Sequence, residues 1–301
     1  MNTQVLRMVA PAKINLALEV VRRREDGYHD IDTVMTTVDL ADRVVLRPAE
    51  ALSVSITGPY ARGIDAADDL AGRAAWALAA RAGREPGVAI ELRKEIPSPA
   101  GLGGGSSDAG AVLRGLNRLW EFDWSPERLA TVGAKVGSDV PFFVYGGTAR
   151  CMGRGEVVEP LRDLRELRAL ILVPPVPVAA GKTGQLYAAL HAHDLSDGHR
   201  SERLAQRIAR GAPPPTNDLI NAFERVVERT NPELLAHYAA YRAAAAPRLH
   251  LCGAGPAVYL LVHEQARIPL LRRDFEQAGA TVFEVRTLRR ADALAIEIEG
   301  S

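Results

Sequence analysis

The sequence predicts an α+β fold divided into two domains, and three features of its pattern lead to this class. Short runs of alternating apolar and polar residues fill the first 57 positions, as in antiparallel strands. A glycine-rich loop then opens a patterned helix, and a new buried strand begins near residue 167. Strands and helices mix without the regular alternation of a doubly wound sheet. We therefore expect a boundary near 160–168, with domains at 1–163 and 164–301.

The bulk composition is that of an ordinary globular protein. The 301 residues are 47% hydrophobic and 25% charged, with 37 basic against 37 acidic residues, which argues against nucleic-acid binding through bulk charge. No apolar run approaches the roughly 20 residues that cross a bilayer, and the N-terminus lacks a signal-peptide layout. Cys151 and Cys252 suggest neither a disulfide framework nor a metal site. We expect a cytoplasmic monomer or homodimer without nucleic-acid or membrane partners.

The N-terminal half is expected to contain strands, a helix, a strand, the glycine loop and two helices. Turns are predicted at "EDGYH" (25–29) and "LAD" (40–42), and an alanine-rich helix at 69–82. A helix capped by Ser125 begins at Pro126. The remaining predicted elements are a strand at 88–96; a turn, a strand, a glycine-rich hairpin and another strand within 137–161; a strand at 167–178; the segment 191–218, which contains the most loop-like stretch of the chain; two strands around a glycine turn at 247–262; a helix at about 263–278; and two final strands.

The loop "PSPAGLGGGSSDAG" (97–110) predicts a phosphate site. It ends at a helix whose apolar face recurs at three- and four-residue steps. We expect Ser106 or Ser107 to cap this helix, leaving N–H donors at the positive end of its dipole. The glycines at 101, 103, 104 and 105 would permit positive φ and close backbone approach. Both serines would offer hydroxyls to a phosphate or its cation. The alternative is a tight glycine-rich turn packed against neighbouring backbone.

Two familiar phosphate motifs do not fit. A P-loop would require glycine at position 176, before "GKT" (181–183), but the residue is Val176. The dinucleotide fingerprint would require a last glycine where Ser106 stands, and the preceding segments form an antiparallel meander.

Several stretches resemble the GHMP small-molecule kinases, and the match spans almost the whole chain. The loop resembles the phosphate-binding signature of that family. Its glycines before Ser-Ser-Asp resemble the branch that phosphorylates a cytidine-diphosphate-linked methylerythritol in non-mevalonate isoprenoid synthesis. Further similar stretches follow in the same order: "APAKINLALEV" (10–20), "REDGYHDIDTV" (24–34), "GSDVPFFVYGGTARCMGRGE" (137–156), "TNDL" (216–219) and "CGAGPAVYLL" (252–261).

The resemblance implies ATP-dependent, Mg²⁺-assisted phosphorylation of a hydroxyl group in a cleft between two domains. The implied domains are like ribosomal protein S5 domain 2 and like ferredoxin. Lys13, expected at the start of a strand, and Asp139, expected at a turn before a strand, would lie side by side at the acceptor hydroxyl. Asp139 would accept or orient the hydroxyl proton, while Lys13 would keep Asp139 ionised and stabilise developing charge. The alternative for Lys13 is a surface lysine on an edge strand, and the alternative for Asp139 is a cap of a helix or turn.

On the acceptor side, the resemblance implies aromatic recognition of a cytosine. Tyr28 and Tyr187 would sandwich the base, and His29 would hydrogen-bond its edge. Asn15 and Thr183 would contact the sugar-alcohol or phosphate portion. Gly253 and Gly255, in the "GAG" turn, would close over the substrate phosphates through backbone N–H groups.

On the donor side, the resemblance implies that the loop and its flanks bind ATP. Two departures from the family pattern are Asp69, where asparagine is usual near the adenine, and Lys182, where serine is frequent. The magnesium ligands stay unassigned, because Ser107 has no clear carboxylate partner. The expected ATP-binding residues are Lys94, Pro97, Ser98, Pro99, Ala100, Gly101, Leu102, Gly103, Gly104, Gly105, Ser106, Ser107 and Asp108.

Two other functions stay open at this point. A homoserine or mevalonate-type kinase would share the phosphate loop, but its small acceptor offers no base for the aromatic residues to stack on. A non-catalytic nucleotide-binding protein would share the scaffold without needing both Lys13 and Asp139.

Overall fold

The fold is organised around two long antiparallel strands, β1 and β2. The computed structural model describes residues 4–179, 181–245 and 248–299. Ala180 and Pro247, which belong to two of the stretches analysed above, lie outside the described residues. The strands are β1 (Val5–Arg23), β2 (His29–Pro48), β3 (Ser53–Thr57), β4 (Val88–Arg93), β5 (Thr148–Gly153), β6 (Val157–Pro160), β7 (Arg168–Val173), β8 (Ile220–Asn221), β9 (His250–Leu251), β10 (Val258–Val262), β11 (Thr281–Arg286) and β12 (Ile296–Glu299).

Ten α-helices of the described residues lie between these strands along the chain. Short 3₁₀ turns occur at Ala192–Asp194, Thr216–Asp218 and Gln265–Arg267. None of the described helices is long and apolar enough to cross a membrane. The α-helices are α1 (Leu70–Ala82), α2 (Gly104–Leu119), α3 (Pro126–Val136), α4 (Val140–Tyr145), α5 (Lys182–Ala188), α6 (His199–Ala209), α7 (Phe223–Thr230), α8 (Pro232–Ala245), α9 (Ile268–Gln277) and α10 (Arg290–Ala293).

The first sheet holds the N-terminal strands and one strand from the end of the chain. Its order along the main path is β12-β1-β2-β4-β3, with β5 beside β2, β6 beside β5, and β8 beside β1. The second sheet has the order β11-β7-β10-β9. Because β12 and β8 pair with β1, the proposed division at residue 163 does not separate the two halves completely. The two-domain boundary stays a prediction.

The turn predicted at "LAD" is wrong, because β2 runs through it. The pairing passes from Pro11 opposite Ala41 to Ala12 opposite Val38, so two extra residues are absorbed as a bulge. The sheet hydrogen bonds on both sides keep the strand continuous across the irregularity.

Helix α2 confirms the apolar stripe read from the sequence. Ala109, Val112, Leu113 and Leu116 are fully buried and share a core with the inner residues of β1, β2 and α1. The predicted serine cap is wrong, since Gly103 occupies the cap position and makes no side-chain capping bond. In α3, Ser125 does cap the helix by accepting from the Arg128 N–H, and Pro126 begins it.

The segment "VPFFVY" forms helix α4, although its apolar and β-branched composition predicted a strand. A short apolar run does not distinguish a strand from a buried helix. Here Pro141 suits a helical first turn, and Val140, Phe142 and Phe143 are buried. Asp139 therefore lies at the N-cap of a helix and not before a strand. The hairpin predicted after it is confirmed as β5 and β6.

A buried ion triad joins the glycine loop to the core. The Lys94 ammonium contacts the carboxylates of Asp42 and Asp108, and all three side chains are at most 1% exposed. Burial raises the pKa of Asp108 well above its usual value. Asp42 also accepts hydrogen bonds from the Glu95 and Ile96 N–H groups, at 2.5 and 2.8 Å. The structure thus places Lys94 and Asp108 inside the protein and paired with each other, so their predicted contact with ATP has no exposed charged group to support it.

Replacing Lys94 by methionine would leave two carboxylates buried without their cation. We expect Lys94→Met to lower the free energy of unfolding by about 3–5 kcal/mol, measured by urea denaturation. Lys135→Met is the matched control, because Lys135 is exposed on α3, and we expect a change within about 0.5 kcal/mol. Equal stability of wild type and Lys94→Met would contradict a structural role for the triad.

Candidate functional site

One cleft brings together most of the residues singled out in the sequence. It has a volume of about 870 Å³ and lies between the glycine loop, β1, the β1–β2 turn, α5 and the turn before β10. The predicted residues that line it are Lys13, Asn15, Tyr28, His29, Pro99, Gly101, Gly103, Asp139, Thr183, Tyr187, Gly253 and Gly255.

Lys13 and Asp139 face each other within this cleft. The Lys13 Nζ lies 3.8 Å from Asp139 Oδ2, and the side chains are 5% and 33% exposed. Lys13 lies in the middle of β1, and not at a strand start as predicted. A rigid sheet residue thus presents an ammonium to a carboxylate that is open to a ligand. This pair can hold a hydroxyl group, accept its proton and stabilise negative charge.

Asn15 holds Lys13 in place. Its Oδ1 accepts from Lys13 Nζ at 2.8 Å and from the Gly253 N–H at 3.0 Å, while its Nδ2 donates to Thr33 Oγ1 at 2.9 Å. The side chain is 2% exposed. Asn15 was predicted to contact substrate. In the structure both of its polar side-chain atoms already have protein partners, so its contacts are those of a positioning residue.

Two glycines let the loop come close to its neighbours. Gly101 and Gly103 have φ of 83° and 75°. A side-chain carbon on Gly101 would lie 1.9 Å from the Cys252 carbonyl oxygen, and one on Gly103 would lie 3.1 Å from Lys13 Cγ. The Leu102 carbonyl also accepts from the Lys13 backbone N–H, at 2.9 Å. The loop is therefore packed directly against both the lysine strand and the turn before β10.

Several loop residues differ from their predicted roles. Gly104 and Gly105 are the first residues of α2 and do not adopt positive φ. The Ser107 hydroxyl is buried and donates to the Pro11 carbonyl at 2.7 Å, so it is not free to bind a phosphate. Pro97, Ala100 and Leu102 are also buried, whereas Ser98 and Pro99 are exposed and Ser106 is intermediate.

The N-terminus of α2 keeps the donors that a phosphate requires. The first N–H groups of a helix have no acceptor within that helix. Gly103, at the cap, has no side chain to occupy them. The 16-residue length of α2 also places the positive end of a full helix dipole at the loop. The loop can therefore bind an anion through its backbone, without the serine hydroxyls.

The turn at residues 252–255 offers fewer donors than predicted. The Gly253 N–H donates to Asn15 Oδ1, and the Gly255 N–H donates to the Cys252 carbonyl at 2.7 Å. Among the described residues, the Ala254 N–H has no such acceptor, and Ala254 lines the cleft. The N–H groups of Gly253 and Gly255 are therefore used within the protein, and the Ala254 N–H is the donor of this turn that could bind a ligand.

The aromatic residues form a different arrangement from the predicted sandwich. Tyr187 stacks on His29 with ring centroids 5.0 Å apart and 23° between the planes, and it contacts Phe223 edge-on. Tyr28 is 54% exposed and lies under the guanidinium of Arg154, 4.9 Å from the ring centroid. Burial raises the pKa of Tyr187 and lowers that of His29. Tyr187 is thus a half-buried aromatic surface, and burial favours the neutral form of His29 beside it.

The cleft holds cations that the sequence analysis did not assign. Arg23, Arg154 and Lys182 line it together with Lys13, whereas Asp139 is its single carboxylate among the described residues. Arg23 belongs to the stretch "RRRED" at the β1–β2 turn, and Arg154 belongs to "GRGE" between β5 and β6. The sequence offered these charges as a signal, but similar charged runs are common on solvated surfaces. Thr183 is exposed at the first turn of α5. Asp69 caps α1 by accepting from the Ala71 N–H at 2.8 Å.

Comparison with known proteins places the chain among small-molecule kinases. A family described as GHMP kinases N terminal domain matches residues 69–147. The 4-diphosphocytidyl-2-C-methyl-D-erythritol kinase of Dehalococcoides mccartyi is 37% identical over 288 residues, covering 96% of this chain and 100% of the relative. That of Shouchella clausii is 37% identical over 282 residues, covering 93% of each.

Solved structures similar to this chain include kinases of the same kind. A crystal structure of 4-(cytidine 5'-diphospho)-2C-methyl-D-erythritol kinase is 34% identical, with a TM-score of 0.74, and covers 93% of this chain and 98% of that one. Homoserine kinase from Cytophaga hutchinsonii is only 15% identical, with a TM-score of 0.68 over 99% of this chain and 98% of that one. The second likeness shows a shared fold alone, which confirms the predicted fold family.

Proposed function

The chain belongs to the 4-diphosphocytidyl-2-C-methyl-D-erythritol kinase family, and we propose that it transfers the terminal phosphoryl group of ATP to the 2-hydroxyl of that acceptor. The reaction belongs to non-mevalonate isoprenoid synthesis, and we assign it to the cytoplasm. The observation that carries the proposal is the placement of Lys13 and Asp139 in one cleft with the backbone of the glycine loop.

Phosphoryl transfer in this cleft would use charge and position more than covalent chemistry. The acceptor oxygen attacks the terminal phosphorus of ATP, the bond to the ADP oxygen breaks, and the hydroxyl proton goes to Asp139. Lys13 stabilises the negative charge on the transferring group, and Asn15 fixes the direction of its ammonium. The α2 N-terminus and the loop backbone hold the phosphates of the nucleotide.

The residues of the cleft fit a magnesium ion that is carried mainly by ATP. Asp139 is the single carboxylate that lines the cleft among the described residues, and Asp42 and Asp108 are both engaged by Lys94. A dedicated all-protein cage is absent from this part of the chain. Magnesium commonly binds through one or two carboxylates and substrate phosphates. When bound, the ion would neutralise phosphate charge, and Asp139 is the cleft carboxylate that would help to hold it.

The aromatic cluster supports a cytidylated acceptor over a smaller one. Tyr28 and Tyr187 line the same cleft as the Lys13–Asp139 pair, with His29 against Tyr187. A cytosine could stack on these rings, and its edge could be read by the neutral imidazole. Binding energy from such a remote base can orient the reacting end of the substrate. Homoserine and mevalonate have no group that would use this surface.

The first prediction concerns the dependence of ATP consumption on the acceptor. We expect ADP formation to require 4-diphosphocytidyl-2-C-methyl-D-erythritol, with no comparable rate on homoserine, on mevalonate or on CDP plus free methylerythritol. A coupled assay for ADP measures this. ADP formation that is independent of the cytidylated acceptor would overturn the proposed function, and nucleotide binding without turnover on any acceptor would favour a non-catalytic scaffold.

The second prediction concerns Asp139. Asp139→Asn keeps the shape of the side chain but removes its capacity to take a proton. We expect turnover to fall by about two to four orders of magnitude, with the affinity for ATP nearly unchanged. Steady-state kinetics and calorimetric titration with a nonhydrolysable ATP analogue measure the two quantities.

The matched control for this substitution is Asp292→Asn. Asp292 is an exposed residue of α10 that pairs with Arg289 and does not line the cleft, and exposed pairs contribute little to stability. We expect wild-type turnover for it. Near-normal turnover in Asp139→Asn would remove this carboxylate from the chemistry.

A further inference from the structure

Lys182 is a half-buried residue of the cleft whose ammonium group is buried without a partner. It begins helix α5 and lines the same cavity as Lys13. Its Nζ is inaccessible to solvent and has no hydrogen-bond partner among the described residues. Lys13 and Lys94, by contrast, are each paired with a carboxylate. Burial lowers the pKa of Lys182 to about 8.

An unpaired buried ammonium is costly for a folded protein. A charge removed from water is tolerated when an opposite charge or several hydrogen bonds replace its hydration. Among the described residues, the fold supplies neither an opposite charge nor a hydrogen bond to the Lys182 ammonium. The next three positions of α5 are exposed, so a lysine there would keep its hydration. A bound anion would supply both the opposite charge and the hydrogen-bond acceptors.

The surroundings of Lys182 point to where that anion lies. A side-chain carbon placed on Gly255 would lie 3.4 Å from Lys182 Nζ, and one placed on Gly253 would lie 2.9 Å from Lys13 Nζ. The turn before β10 therefore has two ammonium groups close to it, one near Gly253 and one near Gly255. The same turn also contacts the glycine loop. A side-chain carbon placed on Gly101 would lie 2.9 Å from the Gly255 nitrogen. Lys182 Nζ thus lies close to Gly255, where the glycine loop meets this turn, and Ala254, whose N–H is available, precedes Gly255 in the same turn.

We propose that Lys182 is a phosphate-binding residue of this chain, and that its ammonium pairs with a phosphate group of a bound substrate beside the Ala254 N–H. The inference rests on the proposed function, because that function brings two phosphate-bearing substrates into the cleft. The phosphate belongs either to the terminal group of ATP or to the diphosphate of the acceptor. Lys182 departs from the serine frequent in the resembling family, so the property would belong to this chain's own sequence.

The test measures binding without turnover, on Lys182→Met and Lys182→Ser. Calorimetric titrations use four ligands: CDP, cytidine, a nonhydrolysable ATP analogue with Mg²⁺, and adenosine. We expect the variants to bind one of the two phosphorylated ligands about 10- to 100-fold more weakly, as for a hydrogen bond to a charged group. Affinities for cytidine and adenosine should stay unchanged. A loss confined to CDP assigns the acceptor diphosphate, and a loss confined to the ATP analogue assigns the terminal phosphoryl group.

Two controls separate a binding role from a structural one. Lys135→Met removes an exposed lysine outside the cleft lining and should leave all four affinities unchanged. The melting temperature of ligand-free Lys182→Met should equal or exceed that of the wild type, because the variant buries no unpaired charge. Lys182→Arg should recover part of the lost affinity.

Two results would overturn the proposal: unchanged affinity for both phosphorylated ligands, or a loss that extends equally to cytidine and adenosine. Failure of the proposed function would appear differently. It would show as a wild-type protein that consumes no ATP with the cytidylated acceptor, whatever Lys182 binds.

Discussion

The side chain of Asn15 is the contact on which the geometry of the cleft depends. Its carboxamide oxygen receives the Lys13 ammonium from its own strand and the Gly253 N–H from the turn before β10. Its backbone carbonyl accepts from the hydroxyl of Tyr259, at 2.9 Å, in the second sheet. One residue therefore holds the lysine ammonium and links the first sheet to β10 and to the turn before it. Because it is buried, these bonds meet little competition from water.

The local charge of the cleft differs from that of the whole chain. Equal numbers of acidic and basic residues give a net charge of zero. The cleft nevertheless gathers Lys13, Arg23, Arg154 and Lys182 around Asp139. Where water is partly excluded, such charges act more strongly than on an open surface. This arrangement suits two substrates that both carry phosphates, and a balanced total charge is compatible with a cleft that binds anionic small molecules.

The sequence predicted the parts of the fold that local pattern controls. The apolar stripe of α2, the cap at Ser125 and the β5–β6 hairpin follow from spacing and turn residues, and the structure agrees. The sequence predicts a strand where the structure has helix α4, because a short apolar run does not show whether its period is that of a strand or of a helix. The bulge that carries β2 through Leu40 also depends on pairing with a distant strand, which no local signal shows.

The site likewise contains residues that the sequence indicated and residues whose arrangement depends on tertiary packing. The resemblance to a kinase family singled out Lys13, Asp139 and the glycine loop, which the structure brings into one cleft. It could not indicate that Lys94 and Asp108 face inward, because their partner Asp42 lies 52 residues from Lys94 along the chain. The stacking of Tyr187 on His29 and the isolation of Lys182 likewise arise from tertiary packing.

Phosphoryl transfer in this cleft is tested most directly by phosphorus NMR of the products formed from ATP and the cytidylated acceptor. We expect one new phosphomonoester signal on the acceptor, in equal amount to ADP, with the acceptor's diphosphate signals preserved. Formation of ADP and free inorganic phosphate, or release of a cytidine nucleotide, would contradict transfer to the acceptor hydroxyl.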